Sequence, residues 1–188
     1  SFVGEWGTSG DKDGQLHDPT GIVFDKDDNL FLVDTRNNRI QKFSPDGKFL
    51  SNFGASGSGP SQFNLPWGIA MDSTGNLYIA DTNNDRVQKL SPEGDHILTF
   101  GSSSPGELNR PSDVTIDKDG DVYVSDWGNN RIQIYSADGG YLATLIGDAT
   151  ELSPWAQMTV NANIDYIKAR ARADLEAEWR FRRPTGLT

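Results

Sequence analysis

Three stretches of this chain are copies of one another. Residues 19–34 read PTGIVFDKDDNLFLVD, residues 66–81 read PWGIAMDSTGNLYIAD, and residues 111–126 read PSDVTIDKDGDVYVSD. Each runs through a loop to an Arg, at Arg39, Arg86 and Arg131, and continues as RIQKF, RVQKL or RIQIY. Each then turns through SPDGK, SPEGD or SADGG and closes on Gly54, Gly101 or Gly147. The opening Pro recurs after 47 and then 45 residues. A repeat of this length marks units that cannot bury their own apolar faces and must stack on one another.

Each unit reads as four short strands. The first two, GIVFD and NLFLV in the first copy, are nearly continuous apolar runs. A strand with one wet face alternates, so both of these are expected to be covered on both sides. Short acidic turns separate them, at Asp25 to Asn29, Asp72 to Asn76 and Asp117 to Asp121. Ser44-Pro45-Asp46-Gly47 has Pro where a turn wants φ near −65° and Gly where a positive φ follows. The unit is therefore a four-stranded antiparallel meander. Such units at about 45 residues, covered by neighbours on both faces, describe propeller blades.

The pattern P-x-G-(I/V)-x-x-D, N-L-(Y/F)-(I/V)-x-D, then N-x-R-(I/V)-Q resembles the NHL repeat, three times over within 19–147. The blades are expected at 19–54, 66–101 and 111–147. Residues 2–7 resemble the last strand of a preceding blade, and Pro184-Thr185-Gly186-Leu187 the first strand of a following one. The fold expected is all-β: a propeller segment of three full blades and two part-blades, with an α-helical insertion at 148–183. The resemblance implies a scaffold shared by protein-binding sensors, RNA-binding domains and metal-dependent lyases or hydrolases, so it does not by itself fix a function. Six blades would need about 276 residues at this period, so the expectation is part of a longer propeller or a ring closed by further copies of the chain.

Charge narrows the partners. Residues 1–147 carry 21 acidic and 11 basic side chains, and 148–183 carry six of each. The mouth-face loops sum to about −2, where phosphate-backbone binding needs clustered Lys and Arg. Nucleic acid is therefore not an expected partner. No apolar run approaches the roughly 20 residues of a membrane span. The chain has no Cys, which fits either redox compartment. The compartment stays open, with an extracellular or periplasmic one favoured.

The most prominent motif is Asp34/Asn37/Arg39, repeated as Asp81/Asn84/Arg86 and Asp126/Asn129/Arg131. Its presence in every blade assigns it to architecture, with Asp and Asn satisfying turn amides and Arg forking to a carboxylate. The acidic turns lack the Glu and flanking helices of a calcium loop, and no metal is assigned to them. His17 and His96 belong at opposite ends of a blade, so they do not make a three-His zinc site or a nucleophile triad. No cofactor is expected. The alternative to a binding module is a calcium-dependent lactonase-like or lyase-like propeller.

What one blade does differently is free for function. Asp113 stands where Gly21 and Gly68 stand, Trp127 where Thr35 and Thr82 stand, and Trp67 where Thr20 and Ser112 stand. All three belong to the face at the mouth of the channel, and two Trp with an extra Asp make a candidate contact patch for a protein, peptide or glycan. In 148–183 Pro and Gly give way to Ala, Arg, Glu and Leu, and Ile167, Leu175 and Trp179 fall on one apolar stripe at helical spacing. A helix here is expected to reach the mouth as a lid or docking arm.

Overall fold

The computed structural model of the chain describes residues 7–146. They fold into three four-stranded antiparallel sheets, with sequence neighbours paired throughout. Blade 1 is Pro19–Phe24, Leu30–Asp34, Arg39–Phe43 and Phe49–Phe53. Blade 2 is Ile69–Met71, Leu77–Asp81, Arg86–Leu90 and His96–Phe100. Blade 3 is Pro111–Ile116, Val122–Asp126, Arg131–Tyr135 and Tyr141–Ile146. Among the described residues the helical segments are three single 3₁₀ turns, Thr35–Asn37, Thr82–Asn84 and Trp127–Asn129, between second and third strands. The expected insertion at 148–183, with Ile167, Leu175 and Trp179, lies outside the described residues, as do residues 2–6 and 184–187 of the two part-blades.

The turns follow from their residues. In blade 1 the Asp25 carboxylate accepts the amides of Asp27 and Asn29 at 3.0 and 2.9 Å, an Asx turn that reverses the chain between strands. Asp72 does the same for Thr74 and Asn76, and Asp117 for Asp119 and Asp121. Lys42 and Lys89 add ion pairs to Asp25 and Asp72 at 3.0 and 3.3 Å. Blade 3 has Ile134 in place of that Lys, and the Tyr123 hydroxyl donates to Asp117 at 3.2 Å instead. At the third turn, Gly47 (φ +78°) donates to the Ser44 carbonyl, and a register shift between Lys42 and Phe43 starts the fourth strand.

Alternation in the second strands makes the cores between blades. Phe31 and Val33 of blade 1 pack with Ile69, Leu77 and Ile79 of blade 2. The intervening residue Tyr78 faces the other way and joins Val114, Val122 and Val124 of blade 3. Every residue of Leu30–Asp34 and Leu77–Asp81 is buried, as the unbroken apolar runs predict. Each large apolar side chain so buried contributes about 1.5–3 kcal/mol. The first strand of blade 2 is covered on both faces, through Ile69 and Ala70, but that of blade 1 departs from the expectation. Val23 turns into the core against blade 2, but Ile22 and Phe24 are 56% and 58% exposed. They point to the other side of blade 1, where no blade lies among the described residues.

The closing glycine of blades 1 and 2 is a packing requirement. Gly54 and Gly101 have φ of +100° and +84°, and a Cβ there would lie 2.6 Å from the Phe63 ring and 2.3 Å from Leu108. Phe63 and Leu108 come from the loops that enter the next blades, so this contact seats each blade on the one before it.

Two outcomes follow. The hydroxyl of Ser125 is fully buried without a hydrogen-bond partner, at a position held by Val33 and Ala80 in the other blades. Ser125→Ala should raise stability by about 1 kcal/mol in urea unfolding, and a loss of stability would contradict this. Burial alone would raise the carboxyl of Asp25, but the Asn29 amide, Lys42 and the turn N–H groups outweigh it and hold it at about 2, against a usual 3.8. Burial likewise opposes Asp72, where Thr74 and Asn76 prevail and hold it at about 2. Both pKa values are depressed by folding, so their contribution is full above pH 3.8 and is lost as pH falls toward 2. Acid unfolding of the double variant Asp25→Asn/Asp72→Asn should be less steep across that window, whereas an unchanged acid limb would refute the assignment.

Candidate functional site

The second strand of each blade ends on an Asp that is fully buried, at Asp34, Asp81 and Asp126. A buried carboxylate is stable only when donors surround it. In blade 2, Asp81 accepts from the backbone of Asn64 at 2.8 Å, Asn84 Nδ2 at 2.9 Å, Arg86 Nε at 2.8 Å and Gln88 Nε2 at 3.3 Å. In blade 1, Asp34 accepts from His17 N, Asn37, Arg39 and Gln41 at 2.7–2.9 Å. In blade 3, Asp126 accepts from Asn109 N, Asn129 and Arg131 at 2.6–2.9 Å.

The same side chains hold the loop that enters the blade. Arg86 donates to the carbonyls of Ser58, Gly59 and Gln62 at 2.7–2.9 Å. Asn84 reaches the Gly57 carbonyl, and Gln88 the Gln62 carbonyl. Arg39 and Gln41 repeat this on Lys12 and Gln15. Arg131 donates to the Glu107 carbonyl at 2.5 Å. The Arg fork therefore closes on the carboxylate of its own blade and on the loop leading into it.

This clamp positions a second set of residues. After the 3₁₀ turn, Asn38 and Asp85 take left-handed φ values of +53°, a conformation that Asn and Asp tolerate. The Asn38 side chain accepts the amide of Leu65 at 2.7 Å, and Asp85 that of Arg110 at 2.7 Å, each a link to the next blade. The residues directly before the opening prolines, Asp18, Leu65 and Arg110, are left-handed too, at φ of +51°, +49° and +51°. Outside glycine this conformation costs roughly 1–2 kcal/mol. All three line one cleft of about 170 Å³ with Thr35, Arg36 and Trp67.

Of the expected contact residues, Trp67 is 48% exposed and lines this cleft. Trp127 is half-buried, with the Arg110 guanidinium stacked over its ring at 5.0 Å. Arg110 thus lies over one indole and lines the same cleft as the other. Asp113 lies apart from them. It lines a channel-side cavity of about 350 Å³ between the first strands, with Gly21, Ile22 and Val114, and its carboxylate accepts the Val114 amide at 2.9 Å. The glycines at its equivalent positions have a steric cause. A Cβ on Gly21 would lie 2.7 Å from the Trp67 carbonyl oxygen, and one on Gly68 would lie 2.4 Å from Asp113 Oδ1.

The sequence reading passed over Arg36, Leu65, Arg110 and Asp18. The signal was available: one residue before the repeat-opening Pro, the copies read Asp18, Leu65 and Arg110, a varied position beside an invariant one. It also passed over Gln41, Gln88 and Gln133, the recurring Gln of the third strand, which is buried in every blade. Among the described residues no group of three or more His, Cys, Asp or Glu is placed to hold a metal ion, and no helix is long and apolar enough to cross a membrane.

A sequence model of the NHL repeat matches residues 16–43, 63–90 and 108–135. The Drosophila melanogaster protein wech is 48% identical over 40 residues, covering 21% of this chain and 5% of wech. The Bos taurus E3 ubiquitin-protein ligase TRIM71 is 42% identical over 55 residues, covering 26% of this chain and 6% of that protein. The chain therefore spans a small fraction of the curated relatives it matches. Virginiamycin B lyase from Staphylococcus aureus superposes with a TM-score of 0.53 at 18% identity, over 66% of this chain and 40% of that one. The WD40 repeats of RRP9 give 0.57 at 19% identity, over 70% and 40%. A gluconolactonase from Xanthomonas campestris gives 0.54 at 16% identity, over 68% and 48%. At these identities the likeness is one of fold.

Removing the Arg of a clamp leaves a buried carboxylate short of its cation, at about 3–5 kcal/mol. Arg86→Ala should approach that loss in urea unfolding, since the side chain is 11% exposed and holds three carbonyls. Arg131→Ala should lose less, its side chain being 26% exposed. Equal and negligible losses would remove the clamp from its architectural role.

Proposed function

Because this chain carries three NHL repeats, each folded as a four-stranded propeller blade, we propose that it is a non-catalytic recognition module that binds a protein, peptide or glycan on its channel-mouth face. One observation carries the reading. Trp67, half exposed, occupies a position that is a small hydroxyl residue in the other two blades, and it lines a cleft shared with Arg110, which is stacked on Trp127. Exposed aromatic and Arg side chains clustered around a cleft have the composition of binding hot spots. The clamp behind them supplies rigidity, which lowers the ordering cost of binding.

Binding through this face separates from folding. Thr20 holds the Trp67 backbone through the carbonyl oxygen at 2.7 Å, so that link does not require the indole. The acidic body disfavours nucleic acid, and the expected remainder of a propeller, or further copies of the chain, would complete the channel. Whether by peptide or by glycan array, ligands that the chain retains should bind Trp67→Ala about 30-fold more weakly, equivalent to about 2 kcal/mol. Its melting temperature should stay near that of the parent. Full retention of every array ligand by Trp67→Ala and Trp127→Ala would sink the proposal.

A further inference from the structure

The three residues before the opening prolines combine a fixed backbone with a side chain that differs from blade to blade. Their left-handed conformation is shared by all three blades, and the amides of Leu65 and Arg110 are anchored by Asn38 and Asp85 of the preceding blade. Glycine would adopt this conformation without steric cost, yet no blade places glycine there. The side chains presented are an anion, an apolar group and a cation, and they converge on one cleft.

The cleft has more positive than negative charge. Arg36 pairs with Asp18 at 2.5 Å, but both side chains are exposed, at 59% and 60%, and a pair in that setting is weak and exchangeable. Arg110 has no carboxylate partner among the described residues. Its guanidinium is instead held over the Trp127 ring, a contact that uses the face of the group and not its N–H fork, which stays available to a carboxylate. At about 170 Å³ the cleft is smaller than a typical small-molecule site of roughly 300–1,000 Å³ and is closer to the size of a side chain.

We propose that this cleft takes an acidic side chain of a partner peptide, its carboxylate on Arg110 and the adjacent apolar part of the peptide against Leu65 and Trp67. The inference rests on the recognition reading above and names its ligand class. A polyanion such as nucleic acid fits less well, because 21 acidic against 11 basic side chains over residues 1–147 surround the cleft with negative potential. A lone carboxylate in a largely neutral peptide incurs only a small part of that repulsion and meets the cleft's own positive side chains.

The test uses the full chain on an array of short immobilised peptides, with single-stranded oligouridylate as a second probe. Retained peptides should share an Asp or Glu whose change to Asn or Gln weakens binding about tenfold or more, the scale of a charge-assisted pair. Arg110→Ala should lose the same factor at an unchanged melting temperature, Arg110→Lys should recover part of it, and Arg110→Glu should reverse the preference toward basic peptides. If retained peptides depend on Trp67 but show no acidic requirement, or ignore Arg110→Ala, this inference falls while the recognition reading stands. If no retained peptide depends on Trp67, the mouth-face recognition of peptides falls and takes the inference with it. Oligouridylate binding lost in Arg110→Ala would overturn the choice of a peptide ligand.

Discussion

The structure depends on a carboxylate buried at the end of the second strand of each blade. Asp34, Asp81 and Asp126 are fully buried, and each is surrounded by an Asn, an Arg and a backbone amide. A charge in that place is tolerable only if all of its donors arrive together. The donors come from the 3₁₀ turn, the third strand and the loop entering the blade. Satisfying the charge therefore ties three segments together, among them the entering loop, which also holds two-residue parallel bridges in blades 1 and 2 and backbone bonds from the 3₁₀ turns to His17, Asn64 and Asn109. Hydrophobic burial holds blade to blade through Phe31, Tyr78 and Val124 and also seats the entering loops through Phe63 and Leu108, while the carboxylate binds the polar backbone of those loops.

That division explains what varies. The Asp, Asn, Arg and Gln of the clamp are the same in every copy, whereas Trp67, Trp127 and the residues before the opening prolines differ from copy to copy. Trp67 replaces Thr20, and Trp127 replaces Thr35. Thr20 bonds to the Thr35 hydroxyl and the Trp67 carbonyl, and Thr82 bonds to the Pro111 carbonyl, so the small hydroxyl positions serve as links between blades. Where Trp67 stands instead of such a hydroxyl, half of a large side chain is exposed. The left-handed positions before proline extend the same logic, with one backbone geometry offering Asp18, Leu65 or Arg110.

Much of the fold was legible because the repeat punctuates itself. Strand order, the acidic turns and the third turn follow from periodicity and from Pro, Gly, Asp and Asn at fixed offsets. The exposure of Ile22 and Phe24 was not legible, because an apolar run has the same spelling whether one face or both are covered. The mouth site was legible in part. Trp67 and Trp127 stand out as departures from the consensus, but Arg110, which lines the cleft with Trp67, has a place over Trp127 that depends on three-dimensional packing. Asp113 stood out equally and lies elsewhere, since position along a first strand does not tell the mouth from the channel wall. Gln41 and Gln88 were hidden by their constancy, a polar letter inside an apolar strand whose partners are 26 residues away.

Amide hydrogen exchange on Asp81→Ala tests the central claim most directly. The Asn64 amide donates into the Asp81 carboxylate, and the His17 amide into that of Asp34. If the buried carboxylate holds each entering loop, the variant should lose protection at Asn64 and through the loop at 57–64, while His17 keeps the protection it has in the parent. Undiminished protection at Asn64 would contradict the account, because the loop would then be held by something other than the charge.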